Sequence, residues 1–256
     1  MLSRMLNNNS DTPNARAAHH FRAQCDINLM TLSLQERYRS VKARIADYTD
    51  GERARLIAVS KRHAAKQVAE LAAFGQADFG ENYVQEGVDK IQALSQLQPQ
   101  PIWHFIGSIQ SNKCGDIAHH FDWVQTLSRL KEVRLLNAAA GKSNRHLNCL
   151  VQINIDADPN KSGVLPDDYL PIAEAIAQTE HLHLRGLMAI TAQSDIERRR
   201  ASFQAMRERF ENLQQRFPTM QIDSLSMGMS EDMAEALQAG STMIRVGTAL
   251  FGPRDT

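Results

Sequence analysis

The feature that most constrains this chain is a repeated alternation of short apolar runs with helical periodicity. Eight runs have strand character: 55–60, 78–81, 102–107, 123–127, 147–155, 184–190, 224–227 and 243–247. Each is short and bounded by polar or glycine-containing segments, as strands are. Between them lie helical patterns such as 64–74, which stops at Gly75, 195–217, and 231–238, with Ser230 as its expected N-cap and Gly240 just past its end. No series of hairpin turns intervenes, so the strands are expected to run parallel. Ahead of the first strand, Leu34, Tyr38, Val41 and Ile45 recur at three- and four-residue spacing, which predicts an extra N-terminal helix over 32–47.

Eight βα units form either an open doubly wound sheet or a closed barrel. No GxGxxG follows the first strand, so the fingerprint of a dinucleotide-binding sheet is missing. Glycine and hydroxyl residues gather instead after the last two strands, where barrels commonly hold phosphate. The expected fold is therefore α/β, a single (β/α)8 barrel, and 256 residues is the usual size for one. Residues 30–256 should form it. Residues 1–29 contain Arg4, Arg16 and Arg22, several Asn and little apolar pattern, and are expected to be a disordered tail.

Lys plus Arg and Asp plus Glu both total 29, so nothing favours nucleic acid or an anionic membrane as partner. No apolar stretch reaches membrane-span length. The three cysteines, Cys25, Cys114 and Cys149, lack metal or redox spacing and fit a reducing cytoplasm. His119–His120 and the His181, His183 pair lack further ligands for a metal, Arg198–Arg200 reads as a solvated helix face, and Trp103 and Trp123 read as core.

Three features converge on the C-terminal rim of the strands, where a barrel keeps its site. Lys61 ends the first strand in Ala58-Val-Ser-Lys61; a lysine emerging there from a packed core has its amine freed for attack on an aldehyde, although most strand-end lysines simply reach solvent. Ser226-Met227-Gly228-Met229-Ser230 leads from a strand to a helix start, which suits phosphate or is an ordinary capped loop. Arg245-Val-Gly247-Thr248 ends the eighth strand, with Arg245 and Gly247 on one side; the alternative is an arginine satisfied inside the barrel. Closure of the barrel would make Arg245 and Lys61 neighbours.

Ala58-Val-Ser-Lys61, Phe79-Gly-Glu-Asn-Tyr-Val-Gln-Glu86, Trp103-His-Phe-Ile-Gly107 with Gln110-Ser-Asn-Lys113, Val151-Gln-Ile-Asn154, Gly186-Leu-Met188, Leu225-Ser-Met-Gly-Met-Ser230 and Arg245-Val-Gly-Thr-Ala-Leu-Phe-Gly252 together resemble the YggS/PROSC family of pyridoxal phosphate homeostasis proteins. The resemblance implies a barrel of the alanine racemase N-terminal type and pyridoxal 5′-phosphate held as a Schiff base on Lys61. It further implies phosphate contacts from Ser226, Met227, Gly228, Gly247 and Thr248, a pyridine-nitrogen contact from Arg245, and Asn82 beside the ring. Glu81, Tyr83, His104 and Asn112 lie in matching motifs without assigned roles. One departure is that Lys61 is followed by Arg62, His63 and Ala64, where the family has a small polar residue, a basic residue and proline.

A racemase needs a second base opposite its lysine. In alanine racemase that base is a tyrosine from a further β domain, and no such domain is expected in the few residues read after the eighth strand. An arginine partner also keeps the ring nitrogen unprotonated and the ring a poorer electron sink. The expectation is a monomeric, cytoplasmic cofactor carrier that passes its cargo to PLP-dependent apoenzymes. The competing expectation is a racemase or lyase using Tyr83 or His104 as the second base, and a third is a rim that binds a partner protein.

Overall fold

The computed structural model of the protein describes residues 32–49, 54–192 and 195–253. The expected tail, with Cys25 and Met30, lies outside them. Eight parallel strands close into a barrel in sequential order: β1 Arg55–Val59, β2 Asp78–Glu81, β3 Ile102–Phe105, β4 Trp123–Leu127, β5 Leu147–Ile153, β6 Leu182–Ala189, β7 Ser224–Ser226 and β8 Met243–Val246. β1 pairs with β8, with Ile57 opposite Arg245 and Ala58 opposite Val246, so the expected (β/α)8 closure holds. Helices α1 Leu34–Ala46, α2 Ala65–Ala73, α3 Val84–Ala93, α4 Cys114–His120, α5 Leu130–Lys142, α6 Tyr169–Ala177, α7 Ile196–Arg216, α8 Met233–Gln238 and α9 Thr248–Phe251 accompany the sheet.

Successive strand residues point to opposite faces, and the closed sheet therefore makes two cores. Ile57, Trp123, Leu150, Met188 and Met243 pack together inside the barrel. Leu56, Ala58, Phe79, Phe105, Val124, Cys149 and Leu187 belong to the larger core between sheet and helices. At the N-terminal floor, the guanidinium groups of Arg55, 5.0 Å from its ring centroid, and Arg185, at 5.1 Å, both pack on Trp123. Trp123 is thus core, as its sequence context suggested, and so is Trp103, which packs against Phe79.

α1 bears on the site despite preceding the first strand. Its four predicted apolar positions are all buried, and Ser33 and Glu36 close a capping box at its start. From that helix Arg37 donates to the carbonyls of Leu250 (2.6 Å) and Phe251 (3.3 Å), tying down α9, the short helix that begins with Thr248.

Strand ends differ from the sequence reading by up to two residues. One correction is chemical. Ser230 does not cap α8; Asp232 occupies the N-cap position, and its buried carboxylate accepts from the Met229 amide (2.6 Å) and the Thr191 hydroxyl (3.0 Å). Those bonds run back to the preceding loop and across to Thr191, not to the first-turn amides, so α8 starts without a side-chain cap.

Candidate functional site at the barrel mouth

Lys61 sits half-buried directly after β1, following Ser60, whose side chain lies on the opposite, helix-facing side. Behind it stands a buried ionic cluster. Lys90 on α3 donates to the Ser60 carbonyl (2.6 Å), to Glu81 Oε1 (2.7 Å) and to Glu86 Oε1 (2.7 Å). The Ser60 hydroxyl also donates to Glu81 Oε1 (2.6 Å), and the Arg62 amide donates to Glu86 Oε1 (2.5 Å). Residues on both sides of Lys61 are thereby fixed. Arg62 takes a left-handed conformation, φ 61°, which turns the chain immediately after the lysine. His63 is buried in a stack on Phe251, ring centroids 4.8 Å apart. Of the three residues that depart from the family pattern, His63 therefore serves packing against α9. Burial pushes the Glu81 carboxyl up from its ordinary value, against the pull of Lys90.

Arg245 lies within the barrel at the level of Ile57, below Lys61, and is 4% exposed. Its Nη1 donates to Ser226 Oγ (2.7 Å) and its Nη2 to the Ala189 carbonyl (2.8 Å). Burial pulls its pKa down to about 10, so it remains a cation at neutral pH. Ser226 in turn donates to Gln125 Oε1 (2.7 Å). Among the residues expected to touch phosphate, Ser226 is the exception: its hydroxyl is fully buried and its single proton is already spent, leaving only its backbone for a ligand. Met227 buries its side chain in the sheet–helix core and its carbonyl accepts from Ser241 (2.7 Å).

Gly228 has φ +92°, and a Cβ there would stand 2.5 Å from the Ala236 Cβ, so only glycine turns this loop back onto α8. Gly247 is different: a Cβ would reach only ordinary contact with Val59, 3.4 Å from its carbonyl oxygen, so packing does not demand glycine there. Thr248 is exposed at the start of α9. The structure therefore brings Lys61, Arg245, Gly228, Gly247 and Thr248 to adjoining strand ends of β1, β7 and β8.

Asn82, just past β2, stands next to the end of β1. Its Oδ1 is buried without a hydrogen-bond partner, and with Ile106, Gly107, Thr126, Gln152 and Lys161 it lines a cavity of about 170 Å³. Gly107 is needed for this approach, because a Cβ there would lie 1.9 Å from the Asn82 carbonyl oxygen. A larger cavity of about 430 Å³ lies between α5 and α6 in the outer helical layer, walled by Leu130, Val133, Asn137, Ala175 and Thr179, and contains none of the mouth residues.

His104 is not part of the mouth. It is fully buried, with Nε2 2.9 Å from Asp78 and Nδ1 2.9 Å from Gln125, and stacks on Trp123. Glu81 faces α3, behind the sheet, while Tyr83 is half exposed. Lys90, Gln125 and Asp78 were not singled out from the sequence. Lys90 carried a signal, since it shares the inward face of α3 with the buried Gly87 and is four residues from Glu86. Gln125 did too, as the middle polar residue of a strand buried throughout. Among the described residues no group of three or more His, Cys, Asp or Glu could hold a metal ion.

Barrel and mouth define a class: the family model for the alanine racemase N-terminal domain matches residues 31–255. Within it, the chain belongs to the YggS/PROSC family of pyridoxal phosphate homeostasis proteins. It is 49% identical over 202 residues to the pyridoxal phosphate homeostasis protein of Pasteurella multocida, covering 78% of this chain and 87% of that one. The Escherichia coli K12 protein of the same name is 47% identical over 202 residues, covering 78% and 86%. Among solved structures, PipY of Synechococcus elongatus with PLP bound superposes with a TM-score of 0.76 at 34% identity, over 86% of this chain and all of that one. Alanine racemase of Clostridium difficile, 16% identical with a TM-score of 0.66, shares the fold over 58% of its length.

Proposed function

We propose that the protein binds pyridoxal 5′-phosphate reversibly at the barrel mouth and acts in its homeostasis. The observation that carries this reading is the pairing of β1 with β8, which sets the Lys61 turn beside Arg245, Gly247 and Thr248. The match to PipY with PLP bound supports the cofactor, and the orphaned Asn82 Oδ1 beside a mouth cavity fits a polar ligand. When bound, the cofactor supplies an aldehyde that condenses reversibly with the Lys61 amine, releasing water. The Lys90 cluster holds the backbone on both sides of that amine. Gly228, Gly247 and Thr248 receive the phosphate with backbone donors and the Thr248 hydroxyl, Met227 contributes backbone alone, and Asn82 flanks the ring. Arg245 donates to the ring nitrogen and cannot accept from it.

The racemase or lyase reading is weaker because His104 is sealed between Asp78 and Gln125 and cannot meet a substrate at the mouth. Transfer to apoenzymes is our reading of the purpose of reversible binding. It is supported by the exposed Tyr83, Leu130, Leu165, Ile196 and Met229, all on the strand-to-helix side of the barrel where a recipient would approach. Among the described residues no helix is long and apolar enough to cross a membrane. The free thiols of Cys114 and Cys149 fit a reducing cytoplasm, and we assign the carrier a monomeric state.

Titration with pyridoxal 5′-phosphate should produce a visible absorbance band, and borohydride should trap the cofactor on Lys61, as read by peptide mapping. A protein that gains no band, or a Lys61→Ala variant that gains the same one, refutes the assignment. Deuterium incorporation at Cα of amino acids in D₂O that Lys61→Ala abolishes would instead establish the enzyme.

A further inference from the structure

A single file of buried polar groups crosses the barrel interior from Arg245 to the floor. Arg245 donates to Ser226 (2.7 Å), Ser226 to Gln125 (2.7 Å), Gln125 Nε2 meets His104 Nδ1 (2.9 Å), and His104 Nε2 meets Asp78 (2.9 Å), which also pairs with Arg55. Six of the eight strands contribute one member each. Ser226, Gln125 and His104 are 0% exposed, so water does not substitute for any link.

The two ends dictate every proton between them. A guanidinium only donates, so Ser226 must accept from Arg245 and give its one proton to the Gln125 carbonyl oxygen. The Gln125 amide nitrogen then faces His104, whose Nδ1 must accept, leaving the imidazole proton on Nε2 for the Asp78 carboxylate. Burial lowers the His104 pKa, in keeping with a neutral ring. A side chain as long as arginine otherwise has many rotamers to choose from. With Nη1 held by Ser226 and Nη2 by the Ala189 carbonyl, its plane is set from both sides, and three of its five donors remain for a ligand.

Resting on the cofactor reading above, we propose that Ser226, Gln125 and His104 are positioning residues that aim Arg245 at the ring nitrogen through a one-directional donor relay anchored at Asp78. Ser226 on this account acts through Arg245 and does not contact phosphate with its side chain. A strong preference of the relay for one tautomer also ties the mouth to the floor, since a change at Asp78 reaches Arg245 through three intervening residues.

Two independent readouts test it. In ¹⁵N NMR of the cofactor-free protein at neutral pH, His104 should be the neutral Nε2–H tautomer, and Gln125→Met, which removes the donor to Nδ1, should shift that resonance pattern; an Nδ1–H tautomer, or one indifferent to Gln125→Met, overturns the relay. With cofactor, Ser226→Ala and Gln125→Met should each weaken binding about tenfold and move the absorbance maximum in the same direction, with the double variant no worse than either single. Cys149→Ala, a buried change in the outer core, should lower the melting temperature and leave the band in place. Additive effects, or singles with parental affinity and spectrum, overturn the proposal. Should the parent protein take up no cofactor, the proposed function fails by itself, and the tautomer measurement alone decides whether the relay exists.

Discussion

The two faces of the same sheet solve the problem of buried polarity in opposite ways. In β2, Asp78 faces the barrel interior and Glu81, three residues on, faces α3, because an odd step along a strand reverses the side. Outside, Lys90, Glu81 and Glu86 form a compact ion cluster whose bonds run to backbone as well as side chains. Inside, the carboxylate and the guanidinium are separated by neutral groups that pass hydrogen bonds in one direction. The ionic cluster suits an anchor, since it clamps the chain around Lys61 whichever rotamer the lysine adopts. The neutral file suits an aim, since a hydrogen-bond chain specifies orientation more narrowly than a point charge does.

Four experiments would break or sharpen this contrast. The largest effect should come from Lys90→Met, which leaves two carboxylates in the outer layer without their cation and should cost about 3–5 kcal/mol in urea unfolding. Adding Glu81→Leu should recover part of the loss; a Lys90→Met protein of parental stability would show the cluster to be no anchor. Gln125→Met should cost about 1–3 kcal/mol, because Ser226 and His104 each lose a partner in a site closed to water. Borohydride trapping on Lys61 should survive that change, since the outer clamp is intact. Ser33→Ala touches neither network and should cost about 1 kcal/mol through the capping box of α1, leaving the Lys61 environment as it was.

The smallest effect is a slope. His104 in the folded protein is depressed below its ordinary 6.5 by burial, against the pull of Asp78. Its contribution to stability is then complete above pH 6.5 and is lost as the pH falls below it, where the unfolded chain binds the extra proton. His104→Gln should flatten part of this acid-side slope in melts recorded across pH. His120 and His183, also lowered by burial, should maintain the remainder. Asp78 enters later: burial raises it, but His104 and Arg55 bring it below its ordinary 3.8, so its contribution disappears only in stronger acid. A slope unchanged in His104→Gln would mean that His104 binds its proton equally well in the folded and unfolded chain.

The sequence by itself determined the architecture and set Lys61, Gly228 and Arg245 at the ends of strands that the barrel makes neighbours. Strand and helix differ in local periodicity, which the chain displays residue by residue, and eight alternations with no dinucleotide fingerprint left the closed barrel as the economical solution. The signals at Lys61, Gly228 and Arg245 were likewise local, each being a residue type set at a strand end. Which partner each polar side chain takes was not legible. His104 read as a candidate base from its motif, and Ser226 as a phosphate contact from its hydroxyl in a glycine-containing loop; closure of the sheet turned both side chains inward and joined them through Gln125, 21 residues from one and 101 from the other. Lys90 shows the same limit from the outer side, where a helix packed on the sheet carried a cation 30 residues along the chain to the Ser60 carbonyl. Periodicity specifies which face a residue presents, but only the tertiary fold determines what that face meets, and in a closed barrel the meeting is between strands far apart in sequence.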